Sequence, residues 1–189
     1  MLLEETQSGL IDACRQGDGE ALRALFELHK DKVYTIALRY SGDSGAAEDI
    51  VQDTFLKLTP ALGKFRGDAS FEAWLYRLVV NACFDRRRRM KRWVPALDSL
   101  REFVKGTGRT PLEDALVNER AALVRSAIAT LDHDHRIVVV LRYSAELSYE
   151  EIAGILNCPQ GTVASRLNRA HGMLEKRLRK NLGKETSYA

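Results

Sequence analysis

The chain has 189 residues, 45% of them hydrophobic and 29% charged, and a formal net charge of +3. That is room for one domain or two small ones of ordinary globular composition, which excludes disorder throughout, and so small a total charge does not announce a nucleic-acid partner unless its distribution does. The cysteines, Cys14, Cys83 and Cys158, lie far apart and form no C-x-x-C pair, which excludes a disulfide framework and a zinc site and makes a reducing cytoplasm the simplest home.

In chain order, Met1 to Glu5 lacks the basic start and long apolar core of a signal peptide. Leu22, Leu25 and Phe26 begin an apolar stripe that resumes at Val33, Ile36, Ala37 and Tyr40, spacing that predicts helix. Ser41 to Gly45 is a turn. Beyond it, Ala47, Ile50, Val51, Thr54, Phe55 and Leu58 form one helical face, with Glu48, Asp49, Gln52 and Asp53 on the other, and Pro60 ends or bends the helix. A polar loop at residues 64–70 has Gly67 and Asp68 as turn residues and Ser70 as the next N-cap. Phe71, Trp74, Leu75, Leu78 and Ala82 then make an apolar stripe. Trp74 on that stripe is expected to pack in the core, whereas Tyr76 lies off it and is expected to be an exposed aromatic. The helix runs into Arg86 to Arg92, where six of seven residues are basic.

From residue 93 to 111 the pattern breaks around Pro95, Gly106, Gly108 and Pro111, which predicts an irregular linker between two domains, 1–92 and 112–189. Helical spacing resumes at Leu112, Leu116, Leu123, Val124, Ile128 and Leu131. His133 and His135 flank Asp134 at a helix start and read as polar residues there; no second cluster completes a metal site. The longest apolar run, Ile137 to Leu141, is too short to cross a bilayer, so no membrane insertion is expected. The predicted fold is all-α.

The last third carries the clearest signal. Ser148-Tyr149-Glu150-Glu151 is a capping box that opens a short helix with Ile152, Ala153 and Leu156 inward. Asn157, tolerant of the left-handed conformation, and Pro159 stop it and start the next. That second helix buries Val163, Leu167, Ala170, Leu174 and Leu178 and turns Gln160, Ala164, Ser165, Asn168 and Arg169 outward, with Arg166 on the flank. This is the pattern of a helix-turn-helix. A helix lying in the major groove needs short residues for close approach and Arg or Asn to reach base edges, while Lys176, Arg177, Arg179 and Lys180 suit phosphates.

Three segments resemble one family. Residues 149–153 followed by 158–170 (Cys158-Pro159-Gln160-Gly161-Thr162-Val163-Ala164-Ser165-Arg166-Leu167-Asn168-Arg169-Ala170) resemble region four of bacterial extracytoplasmic-function sigma factors, of the sigma-70 superfamily. Residues 47–58 resemble their region two helix that docks on RNA polymerase. Residues 65–77, with Asn81 and the arginine run, resemble their −10 reading segment. The order is right, the linker is in the right place, and nothing in the chain resembles the extra N-terminal and middle domains of the large housekeeping factors.

The resemblance implies a sigma factor that binds core polymerase, recognises −35 and −10 elements and promotes melting, without cofactor or covalent chemistry. Glu48, Asp49, Gln52 and Asp53 are implied to meet the β′ clamp helices. Arg66, Asp68, Ser70, Tyr76, Arg77, Asn81, Arg86 and Arg87 are implied to open the −10 element and hold a flipped base. Gln160, Thr162, Ser165, Arg166, Asn168 and Arg169 are implied to read the −35 element while the rim of region four meets the β flap. Ala164 and Asn168 depart from the family, which often has Arg or Lys and an aromatic or His there. An anti-sigma factor that clamps the domains, and holds the protein at a membrane in some cases, is implied by the same analogy. Two rivals stay open on the residues alone: a two-domain helix-turn-helix regulator acting as an operator-binding dimer, and an adaptor that binds polymerase or a sigma factor without reading DNA. Hydrolase or transferase motifs are absent.

Overall fold

The computed structural model describes residues 2–67, 70–97 and 117–185. They form eight helices and, among the described residues, no strand: α1 (Leu2–Arg15), α2 (Gly19–Ser41), α3 (Ser44–Leu62), α4 (Phe71–Leu97), α5 (Val117–Ala129), α6 (His133–Tyr143), α7 (Tyr149–Leu156) and α8 (Gln160–Glu185). The all-α expectation holds.

The helix ends are chemically specified. Asp18 accepts from the Glu20 and Ala21 amides at 2.8 and 3.2 Å, Asp43 from Ala46 at 2.7 Å, and Asp132 from His135 at 3.1 Å. Each such cap satisfies an amide with no intrahelical partner and is worth about 1 kcal/mol. Gly42 closes α2 at φ 76°, where a side chain would be strained. Ser70 Oγ accepts from the Ala73 amide at 3.2 Å, as expected of the α4 cap.

Pro60 sits inside the last turn of α3, which ends two residues later at Leu62. Helix α4 continues to Leu97, past the boundary expected at residue 92. Pro95 does not stop it, although proline disfavours helix in its neighbour. The remainder of the expected linker, residues 98–111, and the resumed pattern at residues 112–116 lie outside the described residues.

Helices α1 to α4 pack together, with α2 against α1, α3 and α4; α8 packs on α5, α6 and α7. The two groups also touch, α4 against α7 and α2 against α6, so that one buried cluster runs from Ile11 through Leu25, Ile50 and Leu75 to Ile137, Ile152 and Leu167. Helix α4 is therefore covered on two sides. That overturns the expectation for Tyr76, which is buried at 6% exposure, whereas Trp74 is half-buried and packs on Phe65 and Phe71. Val79 and Val80 join Tyr76 in the core.

Candidate nucleic-acid interface

The loop before α4 is held from two sides. The Phe65 ring packs edge-on against Phe71, with centroids 5.8 Å apart, and lies 5.1 Å from Trp74. Gly67 takes φ 79°, a left-handed turn that a glycine makes without strain. Arg66 and Ser70 are exposed at its ends, Arg77 and Asn81 are exposed on α4, and Asp68 lies outside the described residues. Of the residues singled out for the −10 element, Tyr76 is not at the surface and Arg87 is half-buried, its Nε enclosed without a hydrogen-bond partner among the described residues. Both expectations treated α4 as a helix with one buried face.

A third wall of this region escaped the sequence reading. Helix α1 lies across the loop, and Gln7, Asp12 and Arg15 line a 540 Å³ cavity with Arg66, Ser70 and Glu72. The apolar signal of α1 is short, Leu10, Ile11 and Cys14, which is too little to be noticed as a stripe. His29 is buried and anchors α1: its Nε2 lies 2.9 Å from the Gln7 amide nitrogen, which also donates to Glu72 at 2.8 Å. An amide donor requires an unprotonated ring nitrogen, and burial, partly offset by Glu72, depresses the His29 pKa.

The polar residues singled out on α3 divide into two pairs. Asp49 accepts from Arg86 at 2.6 Å and Asp53 from Arg89 at 2.7 Å, while Lys57 and Arg88 both hold Asp85, Lys57 at 2.9 Å. The hydrogen bond from Lys57, opposed by burial and helped by Arg88, lowers the Asp85 pKa. Glu48 and Gln52 instead rim a groove of 800 Å³ between α2 and α3, floored by Leu22, Phe26, Val51, Phe55 and Leu56. Phe26 and Phe55 meet edge-to-face at 4.7 Å, and Leu56 is 66% exposed. The acidic and amide stripe is half engaged with the arginine run and half the lip of an apolar surface.

In α7 the capping box closes in both directions: the Ser148 amide donates to Glu151 at 2.7 Å and the Glu151 amide to Ser148 Oγ at 3.2 Å. The first of these bonds depresses the Glu151 pKa. Asn157 takes φ 49° and ψ 53°, the left-handed cap expected of it. Helix α8 buries Val163, Leu167 and Ala170 and exposes Gln160, Ser165, Asn168 and Arg169. Thr162 and Arg166 are half-buried, and Arg166 reaches Asp134 of α6 at 3.5 Å. His133, which looked like a plain polar helix start, meets Tyr40 Oη through Nδ1 at 2.9 Å.

That contact belongs to the junction between the two helix groups. Arg136 donates to the Tyr40 carbonyl at 2.9 Å and to the Leu131 carbonyl at 2.9 Å, so one guanidinium ties α2 to the start of α6. On the other side Arg77 donates to the Gly154 carbonyl of α7, beside a 310 Å³ cavity lined by Ser70, Trp74, Arg77, Glu151 and Ile155.

Two family models match the chain: sigma-70 region 2 over residues 25–94 and sigma-70 region 4 over residues 121–172. It is 35% identical to the RNA polymerase sigma-H factor of Pseudomonas aeruginosa over 188 residues, covering 94% of this chain and 96% of that protein. It is 34% identical to the sigma factor SigW of Bacillus subtilis, over 89% of this chain and 95% of the relative. The chain is an extracytoplasmic-function sigma factor of the sigma-70 family. As a sigma factor it serves transcription initiation, and the operator-binding regulator is not favoured. Among solved structures, it resembles the sigma factor RpoE of Bartonella quintana in complex with the anti-sigma factor NepR, with TM-score 0.69 and 26% identity over 83% of this chain and 96% of that one. It also resembles CnrH in complex with the cytosolic domain of CnrY, with TM-score 0.66 and 25% identity over 92% and 97%. No helix among the described residues of the sigma factor is long and apolar enough to cross a membrane.

Proposed function

We propose that this sigma factor docks on the β′ clamp helices of core polymerase through α3, opens and reads the −10 element with the loop at residues 64–70 and the exposed face of α4, and reads the −35 element with α8. The observation that carries the reading is the outer face of α8. Gln160, Ser165, Asn168 and Arg169 stand exposed on a helix whose other face is fixed in the core and whose approach angle is set by the capped turn at Asn157. That is the geometry a helix needs to enter the major groove. The units for these tasks are the helix groups α1–α4 and α5–α8.

Glu48 and Gln52 meet the clamp as the polar lip of the α2–α3 groove, whose exposed Leu56 and half-buried Phe55 supply apolar contact. The rim of the α5–α8 unit meets the β flap. The sigma factor works in the cytoplasm without enzymatic chemistry, and an anti-sigma factor, in some settings a membrane protein, holds it inactive. The compact arrangement is its resting state. Elements named for positions 10 and 35 lie about 25 base pairs apart, roughly 85 Å at 3.4 Å per pair, whereas here Arg77 of the −10 surface is tied to α7. Reading both requires the two units to separate.

Run-off transcription with purified core polymerase and a promoter library tests this. Activity only when the sigma factor is added, from promoters sharing a −35 and −10 pair, is the expected result; activity without core, or a palindromic site bound by a dimer, rejects it. Fluorescent labels on α2 and α8 move apart by tens of ångströms in the productive complex.

A further inference from the structure

Arg15 makes an unusual set of contacts for a residue at the end of an N-terminal helix. Its Nε donates to the Leu62 carbonyl at 3.3 Å and its Nη2 to the Phe65 carbonyl, while Nη1 is held by Asp12 at 2.8 Å. Leu62 is the last residue of α3 and Phe65 lies in the loop. The guanidinium therefore bridges a helix C-terminus, whose carbonyls have no intrahelical partner, to the loop that leaves it. A planar fork of donors does this in one fixed geometry, which an ammonium does not reproduce.

These contacts face the 540 Å³ cavity between α1 and the loop. Its lining offers both donors and acceptors: the Gln7 amide, the Asp12 and Glu72 carboxylates, the Arg66 guanidinium and the Ser70 hydroxyl. A nucleobase taken out of its stack is read by hydrogen bonds to its edge inside such a pocket, and discrimination depends on donors being fixed before the base arrives. The Phe65 ring fixes the loop on the α4 side; Arg15 fixes its backbone on the α1 side.

We propose that Arg15 is a positioning residue for −10 base discrimination: through Leu62 and Phe65 it sets the height of the loop over a base pocket whose third wall is α1. The proposal rests on the reading that the loop receives an extruded −10 base. It predicts that Arg15 acts on selectivity between bases and not on assembly with polymerase, since the α2–α3 groove lies elsewhere on the unit.

The test uses the full chain bound to core polymerase and fluorescent single-stranded oligonucleotides of the −10 element, with each of the four bases placed in turn at each position. The wild type is expected to prefer one base at one position by about tenfold, the discrimination of one well-made base contact. Arg66→Ala and Ser70→Ala lower that ratio as pocket residues. Arg15→Lys keeps the charge, core affinity and melting temperature, yet brings the ratio close to one. If Arg15→Lys and Asp12→Asn keep the ratio while Arg66→Ala and Ser70→Ala lose it, the positioning role is overturned and the pocket stands. A wild type with no preference at any position overturns the base reading and the proposal together. Loss of core affinity in Arg15→Lys in parallel with selectivity shows general damage and also overturns it. Should Arg15→Ala fail to fold, Arg15→Lys and Asp12→Asn carry the same decision.

Discussion

The two basic helices of this sigma factor look alike in sequence and differ in physical state. On α4, Arg86 and Arg89 are neutralised by Asp49 and Asp53 of α3, Arg88 by Asp85, and Arg87 turns inward. On α8, Arg169 is exposed and Arg166 has one distant acid, Asp134, at 3.5 Å. A run of like charge thus reports a DNA surface only after the residues packed beside it are known. The engaged pairs are solvent-exposed, with side chains 32–61% accessible, so each contributes about 0–1 kcal/mol and exchanges readily for phosphate. Arg86 and Arg89 of α4 are engaged by neighbouring acids, whereas Arg169 of α8 stands exposed.

The largest effects are expected on α8. Arg169→Ala lowers affinity for a −35 duplex by about 1–3 kcal/mol if it meets a base edge, and relaxes selectivity at one position. Arg166→Ala does the same after giving up Asp134. Electrophoretic mobility shifts of the holoenzyme on single-substitution duplexes measure both. A uniform loss on all sequences with a shallower salt dependence assigns these residues to phosphates; no loss in either means that another face of α8 meets the groove, which breaks the comparison.

Smaller effects of opposite sign are expected where acids gate arginines. Asp49→Asn and Asp53→Asn free Arg86 and Arg89, so the isolated chain binds non-specific DNA a few-fold more tightly, with a steeper salt slope. Arg86→Gln and Arg89→Gln weaken it. If polymerase also recruits Asp49 and Asp53, docking on the clamp would release the same arginines toward DNA. Titration of non-specific duplex at several salt concentrations separates the variants. Equal affinity in all four would show that α4 is not electrostatically gated and that the two helices differ only in location.

Much of this fold is written in local chemistry. The 3.6-residue stripes of α2, α3 and α8, the Ser148–Glu151 box and the left-handed Asn157 are each decided by neighbours within one or two turns, and periodicity or cap chemistry exposes them. What stayed hidden depends on distant partners. Tyr76 is one position off the α4 stripe, yet α4 is packed on two sides, and no single-helix pattern separates a second buried face from a solvated flank. Asp49 with Arg86 is a contact across 37 residues, Arg15 with Phe65 across 50, and Tyr40 with His133 across 93. Motif resemblance pointed to candidate surfaces; only the assembled helices distinguish residues exposed on them, such as Arg77 and Asn81, from residues packed behind them, such as Tyr76.

The smallest expected effect extends the comparison from charge to acid sensitivity. His29 is a buried histidine of the α1–α4 unit, whereas His171 in α8 is exposed and pairs with the exposed Tyr143. Burial depresses the His29 pKa, with Glu72 opposing, and its Nε2 accepts from Gln7 only when unprotonated. A base with a depressed folded pKa stabilises the fold above its unfolded value, near 6.5. That stability declines as pH falls through the unfolded value toward the folded one, because the unfolded chain takes up the proton first. Urea midpoints of the wild type are therefore expected to drop between about pH 7 and pH 5. His29→Leu, which cannot be protonated, removes this part of the pH dependence while costing some stability at pH 7.5 through the lost Gln7 contact. A wild-type midpoint flat over that range, or a drop that persists unchanged in His29→Leu, places the acid-sensitive group elsewhere and removes His29 as its source.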